Sequence, residues 1–191
     1  MASPLVLVGM PGSGKSTIGR RLAVRLSRPF VDCDLELEQR CGVSVATVFD
    51  IEGEAGFRER ETRLLKELVQ RPDPIIATGG GVVLAEQNRK ILVEGATVVY
   101  LQATMGELWN RLRNDRKRPL LQGDNPKQRI ADLLEQRAAL YESVADITVR
   151  SRRQAAEKFT GDIIDSLVHA QLLAKPLFAP DNSVRTHDNK Y

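Results

Sequence analysis

Residues 9–16 read GMPGSGKS, which fits the pattern G-x-x-x-x-G-K-S/T, and they lie between the apolar run Leu5–Val8 and a stretch of helical period beginning near residue 15. A glycine-rich turn between a strand and a helix suits a phosphate chain. Gly12 and Gly14 have no Cβ to hold a ligand away, and the amides of residues 12–17, Ser13 among them, can converge at the positive end of the helix. Lys15 is placed to bridge the β- and γ-phosphates and to follow charge onto a transferring group. The Ser16 hydroxyl is placed to ligate Mg²⁺, and Thr17 to contact the α-phosphate. Nucleoside triphosphate binding follows from this segment alone, but the acceptor of the phosphoryl group does not.

The rest of the chain supplies the frame such a loop requires. Candidate strands at Leu5–Val8, Phe30–Asp32, 74–78, 97–101 and 146–149 alternate with helical patterns at about 15–27, 34–41, 52–70, 85–93, 105–114, 126–142 and 153–170. Strand–helix alternation implies an α/β fold, with parallel strands, right-handed crossovers and helices on both faces of the sheet. Ligands of such a sheet bind at the carboxyl ends of its strands. Thr104 three residues before Glu107 has capping-box spacing, and Asn125 before Pro126 reads as an N-cap followed by a first-turn proline.

Composition excludes several alternatives. The 191 residues suffice for one domain, and 42% apolar with 28% charged residues is an ordinary globular mixture. A net charge of +3 over this length makes no basic face, and 5% aromatics leaves few rings for base stacking, so nucleic acid is not an expected partner. No apolar run approaches a membrane span and no signal-peptide pattern opens the chain, so a cytoplasmic location with no membrane partner is expected. Cys33 and Cys41 lack histidines at zinc spacing and read as reduced structural thiols. His169 and His187 receive no role, and Trp109 reads as core.

Candidate acceptor-side residues follow the second and third strands. In FVDCD, Asp32 and Asp34 are two apart, so on a strand both carboxylates face one side roughly 6.5 Å apart while Cys33 turns inward. One carboxylate then serves the magnesium shell and the other orients an acceptor hydroxyl and takes its proton; the alternative is that Asp34 merely N-caps the next helix. Thr78 is followed by Gly79, Gly80 and Gly81, a backbone open to a ligand where the strand ends. Arg58 and Arg137 lie in acid–base mixtures that also suit solvated helix faces. Five cations between Arg111 and Arg118 form a basic loop that suits a lid over phosphates, and the segment beyond about residue 170 has no periodic apolar face and is expected to be a largely disordered or loosely docked tail.

Taken in order, GMPGSGKST, DCD, EGEAGFRERE at 52–61, TGGG, RPLL and RAALY resemble the shikimate kinases over about residues 4–170. The resemblance implies a nucleoside-monophosphate-kinase-like, three-layer α/β/α sandwich around a five-stranded parallel sheet, one kinase domain over 1–170 with a lid at about 113–124. It implies ATP-dependent, Mg²⁺-assisted phosphorylation of the 3-hydroxyl of shikimate, a step of aromatic amino-acid biosynthesis, by a monomer. By motif match Asp34 would bind the shikimate hydroxyls and act as base or orienting group, and Asp32 would support Mg²⁺ through water. Arg58 and Arg137 would clamp the substrate carboxylate beside Gly80, Arg118 would close over the ATP phosphates, and Gln154 would contact the nucleotide near the adenine. Adenylate kinases usually follow the loop lysine with Gly-Thr, where Ser16 and Thr17 stand here, and no D-G-F-P-R string appears; gluconate kinases share the loop but leave the triple glycine and GFRER unexplained.

Overall fold

In the computed structural model, which describes residues 3–113, 125–151 and 154–173, the strands are β1 Leu5–Val8, β2 Phe30–Asp32, β3 Ile75–Ala77, β4 Thr97–Gln102 and β5 Ile147–Arg150. They form one parallel sheet in the order β2-β3-β1-β4-β5. The helices are α1 Lys15–Leu26, α2 Cys33–Cys41, α3 Val45–Leu68, α4 Glu86–Gly95, α5 Met105–Leu112, α6 Pro126–Val144 and α7 Ala156–His169, with a 3-10 turn at Val82–Leu84. The expected lid beyond residue 113, Arg118 within it, and the tail beyond residue 173 lie outside the described residues.

Each central strand is buried on both faces, as strands covered by crossover helices must be. In β1, Leu5 and Leu7 pack with α1 and α7, whereas Val6 and Val8 pack with the layer built from α2 to α6. The alternation of side chains along one four-residue strand thus serves two cores, giving the three-layer α/β/α sandwich. Right-handed crossovers explain which helix lies where: α1 leads away from β1 toward the β2 edge on one face, and the connections that return through β3 to β4 and β5 run over the other.

The chain therefore leaves β1 and β3 in opposite directions, and a crevice opens between their carboxyl ends. Thr78 ties this junction together, since its amide and its hydroxyl both donate to the Leu7 carbonyl, at 3.2 and 2.9 Å. The caps at Thr104 and Asn125 form as the sequence indicates, the first as a complete capping box with Glu107.

Two local expectations need correction. The helix expected over 52–70 begins at Val45, capped by Ser44, and is interrupted at Gly53, whose φ of 69° and ψ of −177° are not helical. The period-two reading of DCD fails at Cys33, because β2 ends at Asp32 and the next two residues open α2. Asp32, not Asp34, is the N-cap: one Asp32 carboxylate oxygen accepts from the amides of Asp34 and Leu35 at 3.2 and 3.4 Å. A side chain able to satisfy free helix-end amides stabilises a helix there more than a fourth β residue stabilises an edge strand. Among the described residues no helix is long and apolar enough to cross a membrane.

Candidate active site

A cleft of about 320 Å³ occupies the crevice, lined by Pro11, Gly12, Gly14, Lys15, Ser16, Thr17, Asp34, Thr78, Gly80, Arg111 and Leu112. The loop after β1 holds its shape through glycines at positive φ, 80° at Gly12 and 98° at Gly14, the latter standing as the N-cap of α1. Lys15 folds back over the loop and donates to the carbonyls of Gly9 and Met10 at 2.8 and 3.0 Å. Its ammonium is thereby held at the mouth of the anion-binding turn. Ser13 is buried behind it, with an Oγ that has no hydrogen-bond partner.

Arg111, read in the sequence only as the start of a basic loop, is a structural member of this wall. Its guanidinium donates to the Gly12 carbonyl and to Ser151 Oγ, both at 3.0 Å, and Ser151 in turn donates to Glu107. A cation is thus fixed between the loop after β1 and the end of β5.

The opposite wall is the triple glycine, and its lack of side chains is a packing requirement. A Cβ on Gly79 would lie 3.0 Å from both Asp34 Oδ1 and Glu61 Oε1, one on Gly80 would lie 2.6 Å from Pro11 Cδ, and one on Gly81 would run into the Arg58 guanidinium. Carboxylates and an arginine from α2 and α3 therefore close directly on this backbone. Asp34, in the first turn of α2, shares the cleft with Lys15 and Ser16.

Arg58 is not dispersed on a solvated face. It forms an ion pair with Glu61 at 2.7 Å and a looser one with Glu54 at 3.2 Å. Glu61 is almost fully enclosed, and burial raises its carboxyl pKa above the ordinary range, opposed by the Arg58 charge. Arg137, from α6, is also buried; one Nη donates to the Gly80 carbonyl at 3.0 Å while its Nε has no partner. A buried arginine fork with a donor to spare has the geometry that suits a planar anion. Burial also raises the Cys33 thiol pKa, with Asp34 and Glu61 adding to the shift, so this cysteine is an inert core group.

The structure thus brings Gly12, Gly14, Lys15, Ser16, Thr17, Asp34 and Gly80 to one cleft, with Arg58 and Arg137 against its glycine wall. Gln154 is not part of the lining; its amide donates to Asp162 at 2.8 Å. Glu61, Tyr141 and Arg111 were not singled out from the sequence. Glu61 and Tyr141 follow Arg58 and Arg137 by three and four residues, the spacing that places two side chains on one helix face, and that was the available signal.

Among the described residues no group of three or more His, Cys, Asp or Glu side chains is assembled to hold a metal ion by itself. The Ser16 hydroxyl and the carboxylates of Asp32 and Asp34 are hard oxygen donors. That set fits Mg²⁺, which takes few protein ligands and completes its shell with phosphate oxygens and water.

The chain matches the family model "Shikimate kinase" over residues 11–168. The shikimate kinase of Burkholderia pseudomallei is 44% identical over 175 residues, covering 92% of this chain and 95% of its relative. That of Aromatoleum aromaticum is 54% identical over 149 residues, 78% of this chain and 85% of the other. Among solved structures, a shikimate kinase from Acinetobacter baumannii in complex with shikimate aligns with a TM-score of 0.86 at 39% identity, over 91% of this chain and 97% of that one.

Proposed function

The chain belongs to the shikimate kinase family, and from that membership we infer that it transfers the γ-phosphoryl group of ATP to the 3-hydroxyl of shikimate, giving ADP and shikimate 3-phosphate, in aromatic amino-acid biosynthesis. The observation that carries the inference is the placement of Lys15 and Asp34 in one cleft, across from a glycine wall backed by two arginines. An anionic phosphate donor and a small polyhydroxylated carboxylate are the ligands this arrangement suits.

In this reading the amides of residues 12 and 14–17 hold the ATP phosphates, with Thr17 at the α-phosphate, while the Ser13 amide braces the loop by donating to the Met10 carbonyl at 3.0 Å. Lys15 stabilises charge on the transferring group. Asp34 binds the acceptor hydroxyls, orients the attacking oxygen and receives its proton, which is why its position beside Lys15 matters. Arg58 and Arg137 take the substrate carboxylate, a planar anion that two bidentate forks fix better than point charges do. Gly80 lends its backbone N–H to the same pocket, its carbonyl being taken by α6.

Ser16, and Asp32 through water, would hold Mg²⁺, which supplies neutralisation of phosphate charge. Asp32 reconciles that duty with its N-cap role because only one of its oxygens accepts from α2. Arg118, outside the described residues, is assigned by the KRPLL string to the ATP phosphates and by position to a lid at about 113–124. Gln154 is assigned to the nucleotide only by its place in the family pattern. The protein is read as a monomeric cytoplasmic enzyme with one catalytic domain over 1–170.

The test is ADP release in a coupled assay with shikimate, gluconate or AMP as acceptor. Shikimate alone is expected to elicit turnover. Asp34→Asn is expected to lower kcat by roughly 10²- to 10⁴-fold, the usual worth of a positioned base, while ATP affinity is retained. A folded wild-type protein with no shikimate-dependent turnover would overturn the assignment.

A further inference from the structure

The Gly80 carbonyl receives two side-chain donors, both from α6. One is Arg137 Nη1 at 3.0 Å, and the other is the hydroxyl of Tyr141. With both lone pairs of this oxygen engaged, the peptide plane between Gly80 and Gly81 is fixed at the point where the acceptor wall is formed. No side chain at positions 79, 80 or 81 helps to set that plane, so its orientation depends on what is donated to it.

Tyr141 is itself held firmly. Its ring is fully buried and stacks on Tyr100 of β4, with centroids 5.1 Å apart and planes at 25°. Its hydroxyl also lies 3.9 Å from Met10 Sδ, in the loop after β1. One side chain therefore contacts the sheet, the phosphate loop and the glycine wall. The remainder of the wall is held from another direction: Asn88 donates to the Val82 carbonyl at 3.0 Å, and Arg89 to those of Val83 and Leu84 at 2.7 and 3.0 Å. Among the described residues, the side-chain hydrogen bonds from α6 to this stretch go to Gly80.

We infer that Tyr141 is a positioning residue for the acceptor: its hydroxyl holds the Gly80 carbonyl so that the glycine wall and the Arg137 fork keep a single arrangement. The inference rests on the reading of this site as a shikimate pocket. Without the hydroxyl, the carbonyl depends on Arg137 alone, the group assigned to the substrate carboxylate. Every departure of the peptide plane then moves that guanidinium. Burial raises the phenol pKa well above its ordinary value, so the hydroxyl remains a donor throughout the working pH range.

The test compares Tyr141→Phe with Tyr100→Phe, which removes a hydroxyl from the other ring of the same stack. Both changes retain the buried aromatic pair. Tyr141→Phe is expected to raise the KM for shikimate by roughly tenfold, the effect of one lost hydrogen bond at a buried acceptor, with the KM for ATP changed by less than about twofold. Tyr100→Phe is expected to leave the KM for shikimate within about twofold of wild type. Hydrogen exchange of the amides of residues 79–84, measured on the ligand-free protein, is expected to quicken in Tyr141→Phe and not in Tyr100→Phe. An unchanged KM for shikimate, equal rises in both KM values, or unchanged exchange in residues 79–84 overturns the inference. Absence of shikimate turnover in the wild type counts against the assigned activity instead, and the exchange comparison still decides the role of Tyr141.

Discussion

Glu61 has 3% of its surface exposed, pairs with Arg58 and lies against the Gly79 backbone. Its raised carboxyl pKa is a statement about stability. A group whose folded pKa lies above its unfolded value favours the fold most when protonated, so its contribution is fully present below the ordinary carboxyl range and is lost as pH rises through the raised value. Glu61→Gln removes that loss. The unfolding free energy of the variant, relative to wild type, is expected to increase between about pH 4 and pH 8, as measured by urea titration at each pH. A difference independent of pH would mean that Glu61 keeps an ordinary pKa. Two of the residues missed in the sequence, Glu61 and Tyr141, share a physical reason. A charged or polar side chain three or four positions from an arginine on a helix looks the same whether that face meets water or a glycine wall, and the packing of other elements decides which.

Among the helices, α3 departs most from its expected form. The spacing of its apolar residues suggests a start near 52, yet helical structure begins at Val45, where Ser44 Oγ accepts from the Thr47 amide at 3.1 Å and a Glu38 carboxylate accepts from the Val45 amide at 2.9 Å. The first of these caps is local, a signal that the expected start at 52 passes over. The second comes from α2, and no local pattern carries it. Gly53 breaks the helix in a backbone region open essentially to glycine alone, and Glu52 and Arg60 pair across the break with N–O distances of 2.6 and 2.7 Å. A Cβ at Gly53 would meet nothing within 4 Å. The penalty of Gly53→Ala is therefore conformational, about 1–3 kcal/mol of unfolding free energy, to be measured by denaturant titration. A loss below about 0.5 kcal/mol would indicate that the segment continues as unbroken helix when given a better helix former.

The whole molecule is a sheet whose two faces carry unequal loads: α1 and α7 cover one, and α2 to α6 cover the other and supply the acceptor wall. The family match ends at residue 168 and α7 ends at His169, with Leu173 still packed against the α1–α7 core. Removing residues 174–191 is therefore expected to leave the thermal midpoint within about 2 °C and kcat/KM for shikimate within about twofold. A larger loss would extend the working domain past residue 173. Taken by itself, the sequence determined the strand–loop–helix unit at 5–26, the alternation of strands with helices, and the residue types available for phosphate, hydroxyl and carboxylate chemistry. All of these are carried by local periods and short motifs. Only the tertiary structure decided that the loop at 9–16 faces residues 78–81. That meeting depends on β3 inserting between β2 and β1, where Thr78 donates twice to Leu7 across 71 positions of chain. It also decided that Asp32 caps α2 while Asp34 faces the cleft, because capping, strand pairing and packing compete for the same few residues, and their outcome depends on neighbours remote in the chain.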